Sequence, residues 1–162
     1  MSKATAEKRA AGGPRRDARH RGREAAVQML YQWELAGGPV AAVVDAFWTQ
    51  APVEDPEAPV MAPPAPRIQA FAGRLVEGVA GSVERLDPLL SEAAKHWRLE
   101  RMATVDRIIL RLAVWEFLHE PDTPARVIIN EALELARTFS TDDAVRFING
   151  MLDGIRRNLE RE

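Results

Sequence analysis

From residue 67 onward the apolar side chains recur at intervals of three and four, and nowhere do they alternate in twos. The first spacing returns a side chain to one face of a helix, whereas alternation marks a strand. Ile68, Phe71, Leu75 and Val79 predict a helix over about 67–81. Leu86, Leu89, Leu90 and Ala93 predict the next, with Asp87-Pro88 as a local restart. Val105, Ile108, Ile109, Leu112, Ala113 and Phe117 mark a third, with Thr104 as its cap; apolar around much of its circumference, it is expected at the centre of the fold. Thr123-Pro124 pairs an N-cap hydroxyl with proline at the first helical position, ahead of a helix that buries Ile128, Ala132, Leu135 and Phe139. Thr141 or Asp142 caps the last helix, whose stripe is Ile148, Met151, Leu152, Ile155 and Leu159. Asn149-Gly150 would signal a hairpin between strands, but the stripe runs through it, so Gly150 is expected to permit a close helix approach. Nearer the start, Val27, Leu30, Tyr31 and Leu35 share one helical face, and Gly37-Gly38-Pro39 ends that helix. Val40, Val43, Val44, Phe47 and Trp48 give a shorter helix over 40–49. The fold class is all-α, with about seven helices.

Two stretches escape this periodicity. Residues 1–14 are polar, small and broken by Gly12, Gly13 and Pro14, so 1–16 reads as a disordered basic arm, with the first helix beginning near Asp17 or Ala18. Residues 51–66 hold six of the chain's 11 prolines, each of which removes a backbone donor and fixes φ. So long a structureless loop is unusual inside a compact domain. The two helices before it would bury too little apolar surface alone, so it reads as an insertion within one domain over 17–162.

Charge is divided along the chain. Residues 1–24 hold eight Lys/Arg against three acids, a net of +5, and the remainder holds 14 basic against 21 acidic residues, a net of −7. Five of those arginines, Arg15, Arg16, Arg19, Arg21 and Arg23, fall within nine residues and run into the first helix. Guanidinium forks pair with phosphate and stack on bases, so such an arm suits nucleic acid; a solvated terminal tail is the plain alternative, and an organelle-targeting peptide a lesser one. There is no cysteine, which excludes a disulfide scaffold, a thiolate metal site and a cysteine nucleophile, and fits a reducing compartment. No apolar signal segment and no run of about 20 apolar residues is visible. A cytoplasmic protein is expected.

Catalytic chemistry is hard to find. His20, His96 and His119 stand apart from one another, with no metal-ligand spacing. His20 belongs to the arm; His96 and His119 fall near helix C-termini, where the dipole favours a positive ring. The pairs Glu131/Glu134 and Asp142/Asp143 read as a solvated helix face and a charged helix N-terminus. No phosphate-cradling glycine loop and no nucleophile elbow is present. The chain is expected to be no enzyme, with no cofactor and no metal. Tyr31, after the arginines, and Phe147, after Arg146, are aromatics beside basic groups, as suits splayed single-stranded bases; filling the core is the alternative. Trp33, Trp48, Trp97 and Trp115 are expected to anchor the core or an interface.

Four blocks carry a family resemblance: residues 23–31 (REAAVQMLY), 97–113 (WRLERMATVDRIILRLA), 124–137 (PARVIINEALELAR) and 147–153 (FINGMLD). In this order, and spread over most of the length of 15–159, they resemble the bacterial transcription antitermination factor NusB family. The loop at 51–66 departs from that pattern in length and proline content. The resemblance implies two packed helical subdomains. It implies binding to boxA-type single-stranded RNA of ribosomal RNA leaders, jointly with NusE, a small-subunit ribosomal protein. It also implies a place in the RNA polymerase antitermination complex with NusA and NusG. Arg15, Arg16, Arg19, Arg21, Arg23 and Tyr31 would contact RNA, with Asp143, Arg146 and Phe147 bordering the same surface. Glu100 and Asp106 would meet the ribosomal partner. Asn130 and Asn149 would hydrogen-bond between the last helices.

Two other classes stay open on sequence alone. One is a helical protein-interaction scaffold. The other is a fragment of a ribosomal RNA cytosine methyltransferase, some of which carry a NusB-like module ahead of a catalytic domain with a cysteine nucleophile. No self-complementary patch decides between a monomer and a homodimer.

Overall fold

A computed structural model describes residues 14–49, 64–95 and 99–161, with the side chains of 14–17 also left aside. The arm at 1–13, most of the proline-rich stretch, His96 and Trp97 therefore lie outside the described residues. Seven α-helices follow: α1 Pro14–Ala36, α2 Val40–Phe47, α3 Pro66–Ala80, α4 Val83–Ala94, α5 Thr104–His119, α6 Ala125–Phe139 and α7 Asp142–Asn158, with a 3₁₀ turn at Leu99–Arg101. No strand occurs among the described residues.

Several boundaries move from their expected places. α1 begins at Pro14, three or four residues early, so Arg15 and Arg16 belong to a helix. Pro66, expected in the loop, is the first residue of α3, where a missing N–H costs nothing. α4 runs from Val83 through Pro88 without restarting. Ala103 and Pro124, not Thr104 and Thr123, are the N-caps of α5 and α6, and neither makes a side-chain cap. Pro124 holds φ −58° and ψ 140°, extended values that put the helix start one residue later than expected. At α7, Thr141 is the cap: its hydroxyl accepts from the Ala144 amide.

The helices form two groups meeting on α5, with α1, α2 and α3 on one side and α4, α6 and α7 on the other. A single apolar core joins them, and α5 supplies an unbroken buried run from Ile108 to Phe117. α1 crosses it antiparallel. Glu34 near the end of α1 pairs with Arg107 and Arg111 near the start of α5, while Arg23 pairs with Glu116 near the end of α5. α3 also runs against α5, since Arg74 meets Glu120 and Gly78 lies beneath Trp115. That glycine is where helices approach closely: a Cβ there would stand 2.3 Å from the Trp115 ring. At Gly150, expected to play that part, nothing lies within 4 Å of the same position. Trp115 is buried, and Trp33 and Trp48 pack on the core edge.

Candidate nucleic-acid interface

α1 presents two faces, and the arginines divide between them. Arg21, Gln28, Tyr31 and Leu35 are exposed and lie seven, three and four residues apart, on one outward side. Tyr31 is 42% exposed and Leu35 70%, so these two do not join Val27 and Leu30 in the core as the apolar pattern suggested. From Arg21 to Tyr31 this face extends about 15 Å, at about 1.5 Å per residue.

Arg23, expected among the RNA contacts, lies in the interior. It is 2% exposed and cannot reach RNA. Its guanidinium donates from Nε and Nη2 to the Glu116 carboxylate at 2.8–3.2 Å, with Glu131 4.0 Å away. Glu131 is buried too, not on a solvated face, and accepts at 2.6 Å from His20, whose other ring nitrogen lies 2.7 Å from Glu24. The network clamps the start of α1 to α5 and α6. The sequence held a signal for it: Arg23 is three and four residues before Ala26 and Val27, on the buried stripe.

Arg19 is exposed but turned toward α3, with its guanidinium 5.5 Å from the centre of the Phe71 ring. The side chains of Arg15 and Arg16 lie outside the described residues.

The second set is at the other end of the molecule. Asp143 and Arg146 are exposed on the first turns of α7, and Phe147 is half-buried against the core. Glu100 is exposed in the 3₁₀ turn, and Asp106, on the first turn of α5, accepts from the Ser140 hydroxyl at 2.5 Å. That bond ties Asp106 to the turn that leads into α7, so Asp106 and Asp143 lie close in the chain's path. Because α1 is antiparallel to α5, Tyr31 is at the α5 start with this set, while Arg19 and Arg21 are at the α5 end. The structure thus brings together Tyr31's end of α1 and the α5 start, and holds Arg19 and Arg21 about 15–18 Å away along α1. Asn130 and Asn149 are both exposed, not buried between helices.

Among titratable groups, Asp153 on α7 stands out. A hydrogen bond from Arg156 at 3.0 Å, helped by the Arg157 charge, holds its carboxyl below the ordinary value. It is a surface pair and carries no chemistry. No cluster of three metal-ligating side chains occurs among the described residues, and no described helix is long and apolar enough to cross a membrane.

Known proteins resemble this chain in sequence and fold. A transcription antitermination protein NusB from Sorangium cellulosum is 42% identical over 144 residues, covering 89% of this chain and 95% of its own. The solved structure of NusB from T. maritima superposes with a TM-score of 0.72 at 30% identity, covering 86% of this chain and 90% of that one. A chain from a crystal structure of antitermination factors NusB and NusE in complex with dsRNA has the same fold, with a TM-score of 0.71 at 21% identity over 88% of this chain and 98% of that one. The model of the NusB family matches residues 20–157, from the His20 clamp to the last turns of α7, and the chain belongs to that family.

Proposed function

We propose that this chain is a cytoplasmic transcription antitermination factor, not an enzyme, that binds boxA-type single-stranded RNA of ribosomal RNA leaders together with NusE. In this reading the pair joins RNA polymerase, NusA and NusG. The observation that carries the RNA half is the exposed line Arg21, Gln28, Tyr31 on α1. It offers a cation for phosphate at one end and an aromatic face for a base at the other. Arg15, Arg16 and Arg19 extend the cationic end; Arg146, Asp143 and Phe147 extend the aromatic end; Arg23 is withdrawn from the set. An RNA reaching both ends spans about 20 Å, on the order of six stacked nucleotides.

The partner half rests on the relatives and on charge. Outside residues 1–24 the chain carries a net −7, which repels RNA except near local cations. A basic ribosomal protein docked beside Glu100 and Asp106 neutralises that surface and lengthens the RNA track. Phosphate contacts position RNA without reading its sequence, so base preference comes from Tyr31, Phe147 and the composite surface.

The test is a titration of labelled boxA-type RNA with this chain, with NusE and with the mixture, in single-stranded and duplex form. The mixture should bind most tightly, and single strands should outcompete duplex, whose stacked bases cannot lie on Tyr31. A mixture no better than its components sinks the partner half, and duplex preference sinks the role of Tyr31.

A further inference from the structure

Beside the start of α1, the first turns of α3 open a cleft of about 500 Å³ lined by Arg19, Arg67, Ile68, Phe71 and Arg74. No acidic side chain lines it among the described residues. The Phe71 ring that lines it packs against a glycine of α1: the Cβ position of Gly22 lies 2.8 Å from the ring, so any larger residue there would displace it. Around that one ring stand three guanidiniums, Arg19 and Arg23 at 5.5 Å and Arg74 at 5.7 Å from its centre.

Their partners differ. Arg23 is matched by Glu116, and Arg74 by Glu120 at 2.5 Å. Arg19 and Arg67 have no carboxylate partner among the described residues, and both are exposed. A ring quadrupole attracts a cation but does not neutralise it, so Arg19 and Arg67 leave two uncompensated charges at the cleft mouth. A guanidinium fork matches a pair of phosphate oxygens, and here two of them line one concave wall.

The geometry points to this cleft as a phosphodiester-binding subsite, with Arg19 and Arg67 as its cations, that carries single-stranded RNA from α1 onto α3. It rests on the RNA reading above and adds α3, to which neither the apolar pattern nor the resemblance assigns a function. Arg19 joins the two surfaces: it belongs to the arginine run of α1 and faces the cleft. Arg21, two residues on, faces the other side of α1, so RNA held at both cations wraps across the helix.

The test uses the full chain with NusE and a labelled boxA-type single-stranded RNA, with affinity measured against salt. Arg67→Ala should weaken binding roughly three- to tenfold and flatten the log–log salt slope by roughly 0.7, the value for one lost phosphate contact on a single strand. Arg67→Lys should restore the slope, because an ammonium keeps the charge. Arg85→Ala, on the exposed side of α4, should change neither quantity. Photo-crosslinking of 4-thiouridine-substituted RNA should place a crosslink within 67–74. If Arg67→Ala binds like the wild type while alanines at Arg15, Arg16 and Arg21 weaken binding, the cleft proposal is overturned and the RNA reading stands. If neither set weakens binding, the RNA reading itself fails. A loss of affinity with an unchanged salt slope overturns the cleft as a phosphate site, as does a loss seen only in NusE binding. Arg67 is exposed and makes no ion pair with any described residue, so its variants are expected to keep the melting temperature of the parent.

Discussion

Arginines at the two ends of α1 keep opposite company. Where the end of α1 meets the start of α5, Arg107 and Arg111 converge on Glu34, and Arg111 also donates two bonds of 2.8 Å to Asp87. Every guanidinium in that group has a carboxylate. Where the start of α1 meets the end of α5, Arg23 is paired and buried and Arg74 meets Glu120 at the surface, while Arg19, Arg21 and Arg67 have no carboxylate among the described residues. The same side chain is a bolt in one place and a free cation a turn away. What separates the two is not the count of arginines but whether an acid on another helix reaches them.

Breaking the buried pair should have the largest effect. Glu116→Ala leaves Arg23 charged, enclosed and without its two-pronged acceptor, which should cost about 3–5 kcal/mol. Glu34→Ala at the other end leaves Arg111 its Asp87 and opens partly wetted groups, so it should cost about 1 kcal/mol or less. Urea unfolding of both variants checks this. Equal losses would mean that burial does not distinguish the two ends.

Next in size is the contact that seats α3 on α5. Gly78→Ala places a methyl against the Trp115 ring and should destabilise by about 1–3 kcal/mol. Gly150→Ala meets nothing and should instead stabilise α7 by up to about 1 kcal/mol through helix propensity. Thermal melts of the pair should therefore move in opposite directions, and a loss at Gly150 would restore the close-approach role expected from the sequence.

The smallest effect belongs to Asp153. Its folded carboxyl is held below the ordinary range by Arg156, first through the hydrogen bond. The sign follows from linkage. The native state favours the charged form, so the contribution is present above the unfolded aspartate value of about 4 and fades as pH falls through the lower, folded value. Asp153→Asn should lower the melting temperature slightly at neutral pH and match the parent in strong acid. An unchanged difference across that window would show that the pair does not titrate as described.

Much of the fold could be read because burial repeats at helical intervals: Ile148, Met151, Leu152 and Ile155 are all buried, as their spacing required. The errors share one cause, since a stripe reports which face is covered but not by what. Tyr31 and Leu35 continue an apolar pattern yet lie exposed on the outward side of α1. Arg23 and Glu131 are polar by type and sit inside because each finds the other's network. Gly78 and Gly150 look alike in sequence, and only the ring of Trp115, 37 residues from Gly78 in the chain, tells them apart. The cleft at Phe71 was invisible for the same reason, being lined by Arg19 from α1 and by Arg67 from α3.

The claim that joins these observations is that the exposed arginines of α1, and not the buried one, hold RNA. The direct test replaces Arg15, Arg16, Arg19 and Arg21 together with alanine, keeps Arg23, and measures boxA-type RNA affinity against salt in the presence of NusE. The fold should survive, affinity should fall, and the log–log salt slope should flatten by roughly 0.7 for each phosphate contact removed. A folded variant with the parent's affinity and the parent's slope would contradict the account.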